Sequence, residues 1–256
     1  FTTADGLTVS GNATVSGTTA LTGNATAAGN LNVTGNIDVD GTTDLDGLTV
    51  AGNVSIDGGT IKLDGNYPTG TANVALGNAT LDSLTDGGYN TAIGTVALTA
   101  NTSGVANTGV GYGALDANTT ANYNVAIGYD AIGVNTTGTA LVGIGAFALD
   151  ANTTASYNTA VGYAALSANT TGTQNTAVGQ NALDANTTGN NNIAVGSHVL
   201  GATTTGGNNT GIGKDALFNN TTASNNTAVG YYALVANTTG NSNVAVGTNS
   251  LDANTT

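Results

Sequence analysis

Five aspartates, Asp82, Asp116, Asp150, Asp184 and Asp252, fall at one phase of a 17-residue pattern. Carboxylates held about 5–10 Å apart can cleave glycosides, one as acid and the other as base or nucleophile. That chemistry requires surroundings that push the two pKa values apart. These aspartates recur mostly at every second copy in similar surroundings, so the sequence favours a solvated ladder over a catalytic pair. A second acidic group, Asp38, Asp40, Asp44 and Asp46 in IDVDGTTDLDG, could collect Ca²⁺, especially if three chains bring the carboxylates together. The same four residues occupy outward phases of a hexad, where solubility explains them, and the segment lacks the Glu and the spacing of an EF-hand loop.

Tyr112, Tyr129, Tyr163 and Tyr231 share another phase, directly after an invariant glycine. Aromatic rings at regular intervals could hold the sugar rings of a surface polysaccharide, or could plug seams between chains; the packing role is favoured. His198 and Lys214 are lone members of variable phases, with no expected function. The tripeptides Asn118-Thr119-Thr120 and Asn152-Thr153-Thr154 satisfy the N-glycosylation sequon, which a chain so rich in Asn and Thr does by composition alone. Thr ladders also suit ice-binding solenoids. The paired threonines here are adjacent, however, and in an extended segment they would point to opposite faces.

The elements that carry these residues are repeats. From Asn73 onward the period is 17 without insertion, with copies opening at 73, 90, 107, 124, 141, 158, 175, 192, 209, 226 and 243. Numbering each copy from 1, position 4 is always aliphatic, position 5 always Gly, position 9 Leu or Ile, and position 13 Thr. Gly, Asn, Thr and β-branched residues exclude a helical repeat. The pattern predicts a β-solenoid in which Thr159 and Val161 point inward, Gly162 bends the chain and Leu166 enters from the return side. Asn at positions 1 and 12 would form amide ladders along the stack. Tyr89, Tyr123 and Tyr157 recur at 34, which leaves open whether a turn holds 17 residues or 34.

Residues 1–65 follow a different rule. Glycines mostly six apart separate alternating segments such as Leu31-Asn32-Val33-Thr34-Gly35, the signature of very short strands joined by tight bends. The pattern lapses at NYPTGTA, around the only proline, Pro68. The domain reading is therefore a hexad shaft over 1–65, a joint at 66–72 and eleven coils over 73–256.

Composition narrows the function classes. The 256 residues carry a net charge of −13, with Lys62 and Lys214 the only cations besides His198. Nucleic acid needs clustered Lys and Arg for its phosphates and is an unlikely partner. No apolar run of about 18 residues could span a bilayer. There is no Cys, which leaves the redox compartment open. The first residue is Phe1 and the last, Thr256, lies inside a repeat, so the chain reads as a processed or partial piece of something longer.

The NTA[VI]G core, as in Asn158-Thr159-Ala160-Val161-Gly162 and Asn124-Val125-Ala126-Ile127-Gly128, resembles the head repeat of trimeric autotransporter adhesins. The hexads, such as LTVSGNATVSGT, resemble bacteriophage tail-fibre shafts. Both families form trimers. The resemblance implies an all-β protein: a parallel β-solenoid, or β-roll, of 17-residue coils preceded by a hexad-repeat β-helical shaft, intertwined or packed as a homotrimer. The period of 17 exceeds the adhesin repeat, so one bend must be larger. The implied function is a structural fibre or adhesin shaft on a virion or cell exterior, extending a receptor-binding tip toward a host surface. No cofactor, membrane insertion or catalysis is expected of it. The alternatives are a fibre that binds or depolymerises a host surface polysaccharide, and an ice-binding solenoid. A line of like groups argues against catalysis, which needs unlike groups converging at one point.

Overall fold

The structure is a computed structural model and describes residues 72–256. The hexad shaft over 1–65, most of the joint, and the calcium candidates Asp38, Asp40, Asp44 and Asp46 lie outside the described residues. Among those described, the regular elements are three-residue strands, one per copy. They run from β1 (Val74–Leu76) through β6 (Thr159–Val161) and β7 (Thr176–Val178) to β11 (Val244–Val246). All eleven form one parallel sheet whose spatial order is the chain order. Thr159 pairs with Thr176, Ala160 with Ala177 and Val161 with Val178, so each strand meets the next after 17 residues. One turn of the solenoid is therefore one copy, and the 34-residue recurrence of tyrosine is a decoration of equivalent coils. At a coil spacing of about 4.8 Å the eleven coils make a rod segment of roughly 50 Å.

Backbone hydrogen bonds join neighbouring coils well beyond the strands. In coil 6, the Thr159 N–H donates to the Asn175 carbonyl (2.8 Å) and the Leu166 N–H to the Ala182 carbonyl (3.0 Å). Gly162 N–H donates back to Ile144 (2.7 Å), while turns within the coil are closed by bonds such as Asn169 N–H to the Leu166 carbonyl (3.2 Å). Successive coils can thus satisfy their polar backbone although each strand spans only three residues.

The strand is turned over relative to the expectation from sequence. Ala160, not Val161, faces the interior: position 3 is buried in the strands from Ala92 to Ala245, while position 4 is outward, with Val161 half-buried and Ile127 40% exposed. In a strand a one-residue change of phase exchanges the two faces completely. The core dictates the choice, because it is filled by Leu at position 9 and Ala at position 8, leaving room opposite for a methyl or a hydrogen only. Leu166, Leu183 and Leu200 stack inside with no exposed surface, as the periodicity predicts. The invariant glycine also has a steric cause: a Cβ on Gly162, whose φ is +137°, would lie 2.5 Å from the Gly179 carbonyl oxygen of the next coil.

Two asparagine ladders complete the core. Asn107 Nδ2 donates to the Ala121 carbonyl (2.8 Å), and Asn118 Nδ2 donates to the same oxygen (3.2 Å). Asn118 Nδ2 also donates to Asn101 Oδ1 one coil back (3.0 Å), whereas Asn107 Oδ1 accepts from the Asn124 N–H one coil on (3.0 Å). Positions 1 and 12 therefore bond along the stack and together hold the bend at position 15. These amides are buried, and such a network is favourable only when its members are paired.

Candidate functional site

The coil tolerates varied side chains at positions 6, 7, 10 and 11, on the stretch that follows the invariant glycine, and at positions 16 and 17, where Tyr89, Tyr123 and Tyr157 stand exposed. Position 7 has positive φ in every copy, from 47° at Asp130 to 65° at Gly113, which turns its side chain outward between the columns at 6 and 10. Two shallow grooves form along these columns.

The first spans coils 3–5. Asp116, Asp130 and Asp150 line it with Phe147 and Val134, around a cavity of about 300 Å³. Burial pushes the Asp116 carboxyl above the usual carboxylate range, and the charge of Asp130 adds to the effect, partly offset by a hydrogen bond from Thr99. Burial likewise raises Asp150, opposed by backbone hydrogen bonds, with Asp130 again contributing. The surroundings of the column-10 aspartates thus differ, contrary to the even ladder expected from the sequence, because Asp130 sits between two of them. Asp130 belongs to column 7, outside the 17-residue phase of the others; its only signal in the sequence is that no other copy except the one holding Asp215 has an acid there. Among the described residues no group of three acidic or histidine side chains is placed to hold a metal ion.

Beside this groove runs an aromatic line. Tyr112 and Tyr129 stack with ring centroids 5.1 Å apart; Tyr129 meets Phe147 edge-on at 5.4 Å, and Phe147 meets Tyr163 at 5.9 Å. Four consecutive coils are thus linked by rings on the outer wall. Tyr112, Tyr129 and Tyr163 are each about half exposed (51%, 50% and 54%), so each uses one face on its neighbours and offers the rest to solvent or to a partner. Phe147 was missed by reading column 6 alone; it enters from column 7 where column 6 holds Ala146.

The second groove spans coils 8–10 and gathers residues that had no expected role. His198, Lys214, Asp215, Phe218, Asn219, Tyr232 and Val235 line a cavity of about 470 Å³. Lys214 Nζ pairs with Asp215 Oδ2 at 3.4 Å and lies 5.9 Å from the centre of the Tyr231 ring. The Asp215 contact holds the ammonium above its ordinary pKa. Tyr231 and Tyr232 meet edge-on at 4.2 Å, and His198 faces Phe218 at 6.4 Å. Tyr231, the fourth tyrosine of column 6, therefore joins this groove and not the line through Tyr112, Tyr129 and Tyr163.

The threonines and sequons are occupied structurally. Thr153 Oγ1 donates to the Thr170 carbonyl (3.4 Å) and Thr136 Oγ1 to Thr153 (3.1 Å), so position 13 spends its hydroxyl on the next coil. Asn118 and Asn152 are fully buried in the amide ladder, and the folded coil withholds both sequons from modification. No helix among the described residues is long and apolar enough to cross a membrane. Compared with family models, curated proteins and solved structures, the chain matches none.

Proposed function

We propose that this chain is a length of structural fibre, working on a virion or cell exterior as the shaft that extends a receptor-binding tip toward a host surface. The repeated coil, with like residues stacked on like, suits stiffness and reach. The observation that carries the proposal is the outward face of the sheet. Position 4 presents Leu76, Ile93, Ile127, Ile144, Val178, Val195, Ile212 and Val246 in one column, each between 36% and 70% exposed. An apolar strip that runs through all eleven strands is more than a soluble monomer ordinarily leaves in water. Its occupant in this proposal is the same strip on other copies: because every coil repeats the residue type, copies can pack side by side along the whole rod.

The resemblance of NTA[VI]G to trimeric adhesin heads supports three copies. The mass of the native assembly tests the proposal. Three chains are expected, and a single chain in dilute solution would remove the reason for the exposed strip.

A second reading, cleavage of a host polysaccharide, draws on the raised carboxyls of Asp116 and Asp150 beside Asp130. New reducing ends after incubation with capsular polysaccharide would support it. Their loss in Asp116→Asn and Asp150→Asn would assign it to this groove.

A further inference from the structure

The groove over coils 8–10 is where the repeat departs most from its own rule. Position 10, most often Asp, is Phe218; position 6 is Lys214, the only lysine among the described residues; position 7 of the preceding coil is His198, the only histidine of the chain. Residues unlike one another, drawn from three successive coils, converge on one cavity of about 470 Å³. That is the arrangement a repeating scaffold otherwise prevents.

We propose that this groove binds a neutral hexopyranose unit of a polysaccharide. A pyranose has an apolar face of C–H groups and a rim of hydroxyls. The C–H face is attracted to the electron-rich face of an aromatic ring, and Phe218 and Tyr232 supply two rings along the wall, with Phe218 37% exposed. The rim needs groups that accept and groups that donate, set close together. Asp215 accepts, the Asn219 amide does both, and Lys214 donates, all within the same lining. Lys214 is already bound to Asp215, so the groove offers no unpaired cation to an acidic sugar, and the net charge of −13 on the chain repels an anionic polymer. The groove is open to solvent, so an internal unit of a long glycan can enter from the side. The groove is built wholly from residues of one chain, so binding here goes beyond the fibre proposal.

Substitutions taken from the same columns of other coils test this without disturbing the fold: Phe218→Asp, Lys214→Gln (as at Gln180) and Tyr232→Asn (as at Asn181). The full chain and its variants are titrated with fluorescent dextran, mannan and galactan, and with polygalacturonate as the anionic arm. Ser167→Asp, which places the same new charge in column 10 three coils away from Phe218, is the control. The expected result is saturable binding of at least one neutral polymer, weakened at least tenfold by Phe218→Asp and by Tyr232→Asn, and unchanged in Ser167→Asp, with equal melting temperatures. No binding to any neutral polymer, binding to polygalacturonate alone, or undiminished binding by the groove variants would overturn the proposal. The native mass of the same samples is read separately, so that failure of the fibre proposal is not mistaken for failure of this one.

Discussion

Ile132 and Gly143 are fitted to each other: Ile132 Cγ1 lies 2.6 Å from the point where a Cβ on Gly143 would stand. In most other coils a Leu at position 9 faces alanine in the next coil, as Leu166 faces Ala177, while Leu98 faces Gly109 with its side chain 3.5 Å from the point where a Cβ would stand. Val199 and Gly211 repeat the relation, the larger residue at position 8 meeting a glycine in the following strand. At both places a β-branched side chain brings its Cγ1 into the space that an alanine methyl fills in most coils.

Gly143→Ala should therefore overpack coil 5 and cost about 1–3 kcal/mol. Adding Ile132→Leu restores the Leu–Ala combination found in most coils and should recover most of the loss. Melting curves of the two single variants and the double variant give the coupling directly. Additive losses would show that the two side chains do not share a space.

Val161 separates folding from assembly. Its side chain is outward, so Val161→Asp in a lone chain should change stability by no more than about 0.5 kcal/mol, as surface substitutions do. In the fibre proposed above it would place carboxylates within an apolar seam, and the native mass should fall to that of one chain. Ala160→Asp, one residue away, buries an unpaired charge and should unfold the neighbouring coils. Equal effects of the two variants on melting would mean that both faces of β6 are buried.

How much of this was legible in the sequence follows from what periodicity can carry. The 17-residue period, the stacking of Leu166 on Leu183 and the amide ladders at positions 1 and 12 were readable, because each depends only on like residues recurring at one spacing; that one turn holds one copy was not, because the tyrosines at 34-residue intervals fit a turn of two copies equally well. The face of the strand was not, since Thr159-Ala160-Val161 offers an apolar residue on both sides and three residues are too few to fix a phase. The grooves were not readable either: they depend on neighbouring columns of neighbouring coils, as with Asp130 between Asp116 and Asp150, and on a backbone that no residue type announced. Leu166 has a φ of 51° and Ile132 one of 53°, a left-handed conformation that Leu and Ile rarely adopt.

That conformation can be relieved where the side chain is outside the core. Ala164, at position 7, has a φ of 51°, and the corresponding residue of coil 3 is already Gly113. The left-handed conformation costs an L-residue about 1–2 kcal/mol, and the extra chain entropy of glycine offsets roughly 0.5–1 of this. Ala164→Gly should stabilise the rod by a few tenths to about 1 kcal/mol, seen as a higher melting temperature. A lower one would show that the φ is not strained in the folded coil.

The acidic groove carries a pH signature. Asp116 and Asp150 have folded-state carboxyl pKa values raised above the unfolded value, by burial first and by the charge of Asp130. The contribution of these groups to stability is therefore fully present below the unfolded pKa and is lost as pH rises through the raised folded pKa. Asp130→Asn removes the repulsion, so it should raise the melting temperature at pH 7 and change it much less at pH 3, where the carboxyls are protonated. A gain of equal size at both pH values would assign the effect to packing.

Thr203 is the one place where the position-12 ladder changes chemistry within the stack. Asn186 Nδ2 donates to Asn169 Oδ1 (2.8 Å) and to the Gly189 carbonyl (3.1 Å), but Asn186 Oδ1 is buried without a hydrogen-bond partner. The residue that should donate to it is Thr203, whose single hydroxyl hydrogen goes instead to the Asn220 carbonyl (2.9 Å). Thr203→Asn would supply an amide with two donors, one for Asn186 Oδ1 and one for the Gly206 carbonyl, while its own oxygen replaces Thr203 Oγ1 as acceptor for Asn220 Nδ2 (3.3 Å at present). Satisfying a buried acceptor is worth about 1–3 kcal/mol, and the loss of the Thr203 bond to Asn220 returns about 1 of it. The variant should melt higher than the parent, and amide hydrogen exchange over coils 7–9 should slow. No change in exchange there would show that the ladder gains nothing from an unbroken run of asparagine.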